Sequence, residues 1–299
     1  MPVMTHILFL VASLLLLMAG SSFAAAASSA KGAPSADTAK QSLESSPRHG
    51  EWADISVKGS GAKLHTWVVY PERKDKAPVV LVISEIFGMT DWVRAVADQL
   101  AAEGFIAVAP DLLSGKGPNG GGTDSFESSK VREAIQQLKP DEVTDRLDAA
   151  RDWALNQPSA ATKTATIGFC WGGGMSFMYA TRQPQLNAAV VYYGTPPRDA
   201  SADKFAPDKT ALGKINCPVL GCYGGDDARV TATVEPTKAV MSELGKSYTP
   251  HVFEGAGHGF LRQQSGKDGA NQKAADQAWK ETVAFLKMNL EAGGGKKSE

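Results

Sequence analysis

The chain has 299 residues, 43% of them hydrophobic, with 31 basic and 32 acidic side chains and a formal net charge of -1. That balance suits one globular α/β domain with a sizeable core. It supplies neither the basic excess of a nucleic-acid binder nor the acidic blocks of a disordered chain.

Residues 7–18 form an apolar run, followed by Gly20, Ser21, Ser22 and an alanine cluster. The run is short for a membrane span and reads as part of a secretory signal over residues 1–24, with Ser22-Phe23-Ala24 as the small-x-small cleavage site. The expectation is an exported protein, periplasmic or secreted, with no stable membrane association once the signal is removed. Residues 25–48 are rich in Ala, Ser, Gly and Lys and predict a disordered linker. The main domain is expected over residues 49–291, and the Gly/Lys-rich residues 292–299 are expected to form a flexible tail.

Residues 65–70 alternate like a half-buried strand. Residues 78–83 are a continuous Val/Leu/Ile run, typical of a central parallel strand covered on both faces. Residues 91–103 predict a helix with Trp92, Val93, Val96, Ala97, Leu100 and Ala101 on its apolar face and Gly104 at its end. Residues 105–109 predict another buried strand, closed by Pro110-Asp111. The glycine-rich stretch 114–124 has no periodicity and predicts a lid or a mobile loop. Two helical stretches split by Pro140 follow, then a β-prone run ending at Phe169 and a helix through Arg182. Strands at 187–193, 218–223 and 250–254 alternate with helices at 231–246 and 271–290. The alternation implies a mostly parallel sheet flanked by helices.

Chemistry concentrates at Gly168-Phe169-Cys170-Trp171-Gly172, a nucleophile-elbow spacing with cysteine in the usual serine position. A nucleophile at the tip of a tight strand-to-helix turn needs small neighbours two residues away on both sides. The N–H groups of the helix start should favour an anion, so a lowered Cys170 pKa is expected. Cys217 and Cys222 fall on one predicted strand, roughly 16 Å apart at an extended rise, and cannot pair with each other. Three cysteines leave at least one free thiol even in an oxidising compartment.

Other candidates follow the predicted strands, where open parallel sheets form their sites. Glu85 follows 78–83. Asp226 and Asp227 follow 218–223, and either could be an acid or a helix cap. His258 follows the last strand. The order nucleophile, acid, histidine is that of α/β-hydrolases. Asp111 is a rival acid, but it precedes the nucleophile and reads as structural.

Six segments together resemble the dienelactone hydrolase family over residues 50–290. They are Ser84-Glu85-Ile86-Phe87-Gly88, Pro110-Asp111-Leu112, the cysteine elbow, Tyr192-Tyr193-Gly194, Gly225-Asp226-Asp227-Ala228-Arg229-Val230 and Gly257-His258-Gly259-Phe260. The resemblance implies an α/β-hydrolase fold and a family that is usually cytoplasmic. It implies Cys170 as nucleophile, Asp227 as acid, His258 as base and Glu85 as a contact of the resting thiol. It further implies the N–H groups of Ile86 and Trp171 as an oxyanion hole, and Arg262 with Arg132 as holders of a substrate carboxylate. The expected protein is a monomeric, cofactor-free and metal-free cysteine hydrolase of small carboxylic esters or lactones. A non-catalytic small-molecule binder on the same scaffold is the alternative. A thiol redox protein is disfavoured because C-x-x-C is absent.

Overall fold

A run such as Ala77–Ile83 has no polar face and is stable only when covered on both sides. In the structure, a computed structural model describing residues 32–59, 61 and 63–291, this run is β3 of an eight-stranded sheet and is buried at every position. The strands in chain order are β1 (Gly50–Ser56), β2 (Lys63–Val69), β3, β4 (Ile106–Pro110), β5 (Ala160–Phe169), β6 (Ala188–Tyr192), β7 (Val219–Gly224) and β8 (Tyr248–Phe253). Their order across the sheet is β1-β2-β4-β3-β5-β6-β7-β8. The pairs β1–β2 and β2–β4 are antiparallel, and all the others are parallel.

The helices are α1 (Ala39–Glu44), α2 (Asp91–Ala102), α3 (Ser128–Gln137), α4 (Pro140–Leu155), α5 (Trp171–Ala180), α6 (Lys209–Leu212), α7 (Ala228–Thr231), α8 (Val234–Glu243) and α9 (Ala270–Leu290). The sheet divides the core in two. Val80 and Val82 face a cluster built with α2 and α9, including Trp92, Leu100, Trp279 and Leu286. Val79, Leu81 and Ile83 face a second cluster built with α3, α4, α5 and α8. That period of two is the pleat read out on both faces. Among the described residues, no helix is long and apolar enough to cross a membrane.

The expected linker is a correction where it is described. Residues 32–48 pack on the domain, with Ala33, Ser35 and Ala39 buried. The indole N–H of Trp92 donates to the Pro34 carbonyl at 2.8 Å, and the Gln264 amide donates to Ala33 O at 2.8 Å. The Arg48 guanidinium pairs with Asp98 on α2. Composition missed this because the segment contributes few and small apolar side chains, Ala33 and Ala39 among them, together with backbone carbonyls that buried donors such as Trp92 need. The signal over residues 1–24 and the tail over 292–299 lie outside the described residues.

Smaller differences have local causes. β1 escaped notice because it is an edge strand with a single buried residue, so its sequence lacks alternation. The helix expected over 231–246 is α7 followed by α8, with Pro236 in the first turn of α8, where its missing N–H costs little. Cys217 precedes β7 rather than lying on it; it and Cys222 are buried, free thiols.

The elbow is the tightest point of the fold. Cys170 has φ 56° and ψ -116°, a left-handed φ that a residue with a Cβ rarely adopts. A Cβ on Gly168 would stand 2.0 Å from Gly172 O, and one on Gly172 would stand 2.3 Å from Ser84 O. Both obstacles are backbone and cannot swing aside. Gly172→Ala is therefore expected to destabilise the protein by about 2–3 kcal/mol, as overpacking does, and to lower the denaturant midpoint accordingly. A midpoint equal to that of the native chain would show that β3 can yield at Ser84.

Candidate active site

The carboxyl ends of β3, β5, β6, β7 and β8 meet around a cavity of about 860 Å³ lined by Glu85, Cys170, Tyr193, Asp227 and His258, among others. Each side chain arrives on its own strand-to-helix connection. The Cys170 sulfur lies 3.1 Å from His258 Nε2. His258 Nδ1 lies 2.5 Å from Asp227 Oδ2. The structure thus brings the expected nucleophile, histidine and acid into one continuous line.

The two aspartates are separated clearly. Asp227 is buried and caps α7, accepting the Val230 N–H on Oδ1 while Oδ2 faces His258. One residue therefore both caps and orients. Asp226 points outward and pairs with Lys267 at 3.0 Å. Asp111 is structural: it accepts from the Leu113 N–H and from both the N–H and the hydroxyl of Thr123. The Thr123 hydroxyl in turn accepts the Met89 N–H at 3.1 Å, which ties down the loop carrying Ile86. Through Thr123 the 114–124 stretch braces that loop, and its own residues line a separate depression with His65 and Asp54, not the cavity at Cys170.

One expectation about charge is overturned. The Cys170 thiol is pushed up, not down, by burial first and the nearby Glu85 carboxylate second. The Trp171 N–H, Arg229 and the Ile86 N–H pull in the other direction without winning. Both N–H groups nonetheless act on the sulfur, so they lie near it, where an oxyanion hole was expected. Glu85 pairs with Arg262, whose Nε stands 2.9 Å from Glu85 Oε2, while its charge also acts on the Cys170 thiol. The turn Gly259–Arg262, closed by Arg262 N–H to Gly259 O at 3.0 Å, carries the guanidinium there and lays it over the Phe87 ring at 4.7 Å.

Glu85 is itself displaced, from the ordinary 4.5 to about 7, by burial that the Arg262 charge only partly offsets. A carboxyl with a raised folded-state pKa favours folding while protonated. That contribution is complete below about 4.5 and is lost as pH rises through about 7. Native stability is expected to fall over this window, by on the order of 3–4 kcal/mol from this group. Glu85→Gln should flatten the slope in denaturant titrations at successive pH values; an unchanged slope would move its origin elsewhere.

Arg132, on α3, lines the same cavity but is exposed. Residue-by-residue reading gave no role to Phe87, Tyr193 or Arg229. Tyr193 is buried at φ 40°, with its ring 5.1 Å from His258 and its hydroxyl without a hydrogen-bond partner. Its adjacency to a strand end was the available signal. The other two thiols are remote from this chemistry: burial pushes Cys217 up to about 12 and Cys222 higher still. Among the described residues, no group of three or more His, Cys, Asp or Glu side chains could hold a metal ion.

Relatives share this arrangement of chain. The sequence model of the dienelactone hydrolase family matches residues 64–290. The chain belongs to the dienelactone hydrolase family. A relative from Salmonella typhimurium, provisionally named a carboxymethylenebutenolidase, is 30% identical over 246 residues, covering 81% of this chain and 87% of its own. A Klebsiella pneumoniae crystal structure provisionally described as a dienelactone hydrolase superposes with a TM-score of 0.67 at 26% identity, covering 80% of this chain and 98% of that one. A dienelactone hydrolase-like promiscuous phosphotriesterase from metagenomic libraries has a TM-score of 0.68 at 22% identity, covering 81% and 99%, and shows the shared fold. As a dienelactone hydrolase family member, the chain is an α/β-hydrolase of the ester- and lactone-cleaving kind.

Proposed function

We propose that this dienelactone hydrolase family member hydrolyses small carboxylic esters or lactones through a Cys170–His258–Asp227 triad and an acyl-enzyme. The observation that carries the reading is the line from the Cys170 sulfur to His258 Nε2 at 3.1 Å and from Nδ1 to Asp227 at 2.5 Å.

The chemistry follows from those positions. The resting nucleophile is the neutral thiol, since its pKa is raised. His258 Nε2 takes its proton as sulfur bonds the substrate carbonyl carbon. Asp227 holds the imidazole in the tautomer that can accept, and stabilises the imidazolium. In this reading the carbonyl oxygen gains charge beside the Ile86 and Trp171 N–H groups, which donate to it. His258 then protonates the departing oxygen. Water, deprotonated by the same nitrogen, attacks the thioester carbon and frees the acid and the thiol. Arg262 offers a planar fork to a substrate carboxylate, and such a group must compete with Glu85 for it. Arg132 is the second holder in this reading.

Rapid quenching of the native protein with p-nitrophenyl acetate tests the mechanism. A 42 Da acetyl adduct is the thioester's chemical mass increment, and peptide mass spectrometry should place it, at about one per chain, on Cys170. Turnover with no adduct on that peptide would remove the covalent route.

We also carry forward export and a monomeric state. Export rests on the apolar run 7–18. Amino-terminal sequencing of protein from a periplasmic fraction tests it: a start near residue 25 supports export, and an intact Met1 in the cytoplasm opposes it. Light scattering tests the monomer.

A further inference from the structure

Residues 33–37 precede the stretch shared with the family, which begins at residue 64, yet they reach the loop that serves the cavity. His258 and Arg262 stand on one connection, between β8 and α9. Its turn is closed by the Arg262 and Gln263 N–H groups, which both donate to Gly259 O, at 3.0 and 2.9 Å. The start of α9 holds this connection: Asn271 Oδ1 accepts the Gly257 N–H at 2.9 Å, and Asn271 Nδ2 donates to Gln263 O at 2.7 Å. Residues 33–37 hold it as well. The Ala36 N–H donates to Arg262 O at 2.9 Å, the Gln264 amide reaches Ala33 O, and the Ser265 hydroxyl donates to Asp37 at 3.3 Å. The segment is in turn anchored to α2, where the Trp92 indole donates to Pro34 O.

Arg262 is where these contacts reach the chemistry. Its carbonyl accepts from Ala36, while its side chain enters the cavity, pairs with Glu85 and lies over the Phe87 ring. A backbone free to tilt at the root of a long side chain spreads its head group over several positions, and holding it in one costs entropy. Fixing the Arg262 carbonyl fixes the root from which the guanidinium is aimed.

We propose that Ala36 is a positioning residue: its N–H, carried on residues 33–37, holds the Arg262 backbone so that the guanidinium stays at Glu85, in reach of a substrate carboxylate. The last clause rests on the hydrolase reading; the hold on the guanidinium does not. Ala36 does not line the cavity and acts only through Arg262.

Ala36→Pro removes the donor without forcing the chain. Ala36 is the second residue of the turn closed by Thr38 N–H to Ser35 O at 3.3 Å, and its φ is negative, so proline fits there. Ala36→Ser keeps the N–H and is the rescue control. The first readout needs no activity. Arg262 Nε is buried, and nitrogen-15 spectra of the folded protein, with Arg262→Lys to assign the signal, give the rate at which its N–H exchanges with water. Ala36→Pro is expected to raise that rate about five- to tenfold, the scale of one lost hydrogen bond, and Ala36→Ser to leave it at the native value. The second readout is the opening of carboxymethylenebutenolide and of its neutral methyl ester. Ala36→Pro should raise KM for the acid about five- to tenfold with kcat within about twofold, and leave the methyl ester unaffected. In an Arg262→Gln background the same substitution should add nothing. An unchanged exchange rate, or equal effects from Ala36→Ser, would overturn the proposal. So would a loss of the same size with and without Arg262, which a merely structural segment would give. If the native protein opens neither compound, the hydrolase reading fails and the exchange rate alone decides. If Ala36→Pro does not fold, Gln264→Leu, which removes the bond to Ala33 O, takes its place in both measurements.

Discussion

Cys170→Ala is expected to abolish ester hydrolysis while leaving the fold in place. The substitution deletes one sulfur and keeps the Cβ that already tolerates φ 56° at the elbow. The backbone bonds that close the turn, Cys170 N–H to Tyr192 O at 3.0 Å and Gly174 N–H to Cys170 O at 3.2 Å, do not involve the side chain. Loss of the nucleophile in a triad leaves only the oxyanion donors and binding, so the drop in kcat should be about 10³-fold or more. Hydrolysis of p-nitrophenyl acetate and a thermal melt on the same sample provide the check. Full turnover with an unchanged melt would remove Cys170 from the chemistry. Gly172→Ala makes the contrasting case, because there the backbone itself is in the way and stability must fall first.

Asp227→Asn should cut turnover by about 10³–10⁴-fold, the scale seen when the orienting acid of a triad is replaced by its amide. Oδ2 is the only partner of His258 Nδ1 among the described residues, at 2.5 Å, and an amide there no longer enforces the same tautomer. Stability should change little, because asparagine is as good a cap as aspartate and can still accept the Val230 N–H. Asp226→Asn should leave turnover within about twofold, since its partner is the exposed Lys267 and such surface pairs contribute about 0–1 kcal/mol. Turnover and melting temperature for the two variants separate the roles. The reverse ranking would transfer the acid function to Asp226. Turnover that falls only in proportion to stability would make Asp227 a cap and nothing more.

Cys170, Asp227 and His258 were legible because each sits in a short stretch with its own local signature. The elbow needs glycines at fixed offsets, and strand ends in a parallel sheet are where loops carry side chains to one edge. Arg262 was legible only by its spacing from His258; its pairing with Glu85 was not. Arg229 was part of a quoted motif and received no role, because a lone arginine after a strand looks like any solvated cation.

What the sequence determined by itself was the framework: central strands from unbroken Val/Leu/Ile runs, helices from their apolar stripes, the turn at Cys170 from its glycines, and the chain order of the three residues that line up at the site. Those are local facts, set by side-chain periodicity and backbone sterics within a few residues. The tertiary structure alone decided which charge meets which. It placed Glu85 against Arg262 and buried Cys170 enough to raise its pKa. It assigned His258 to Asp227 and Asp226 to Lys267, and drew residues 32–48 onto α2 and Gln264. Desolvation and Coulomb energies depend on groups far apart in sequence and a few ångströms apart in space. They have no value until the sheet has brought its strand ends to one edge.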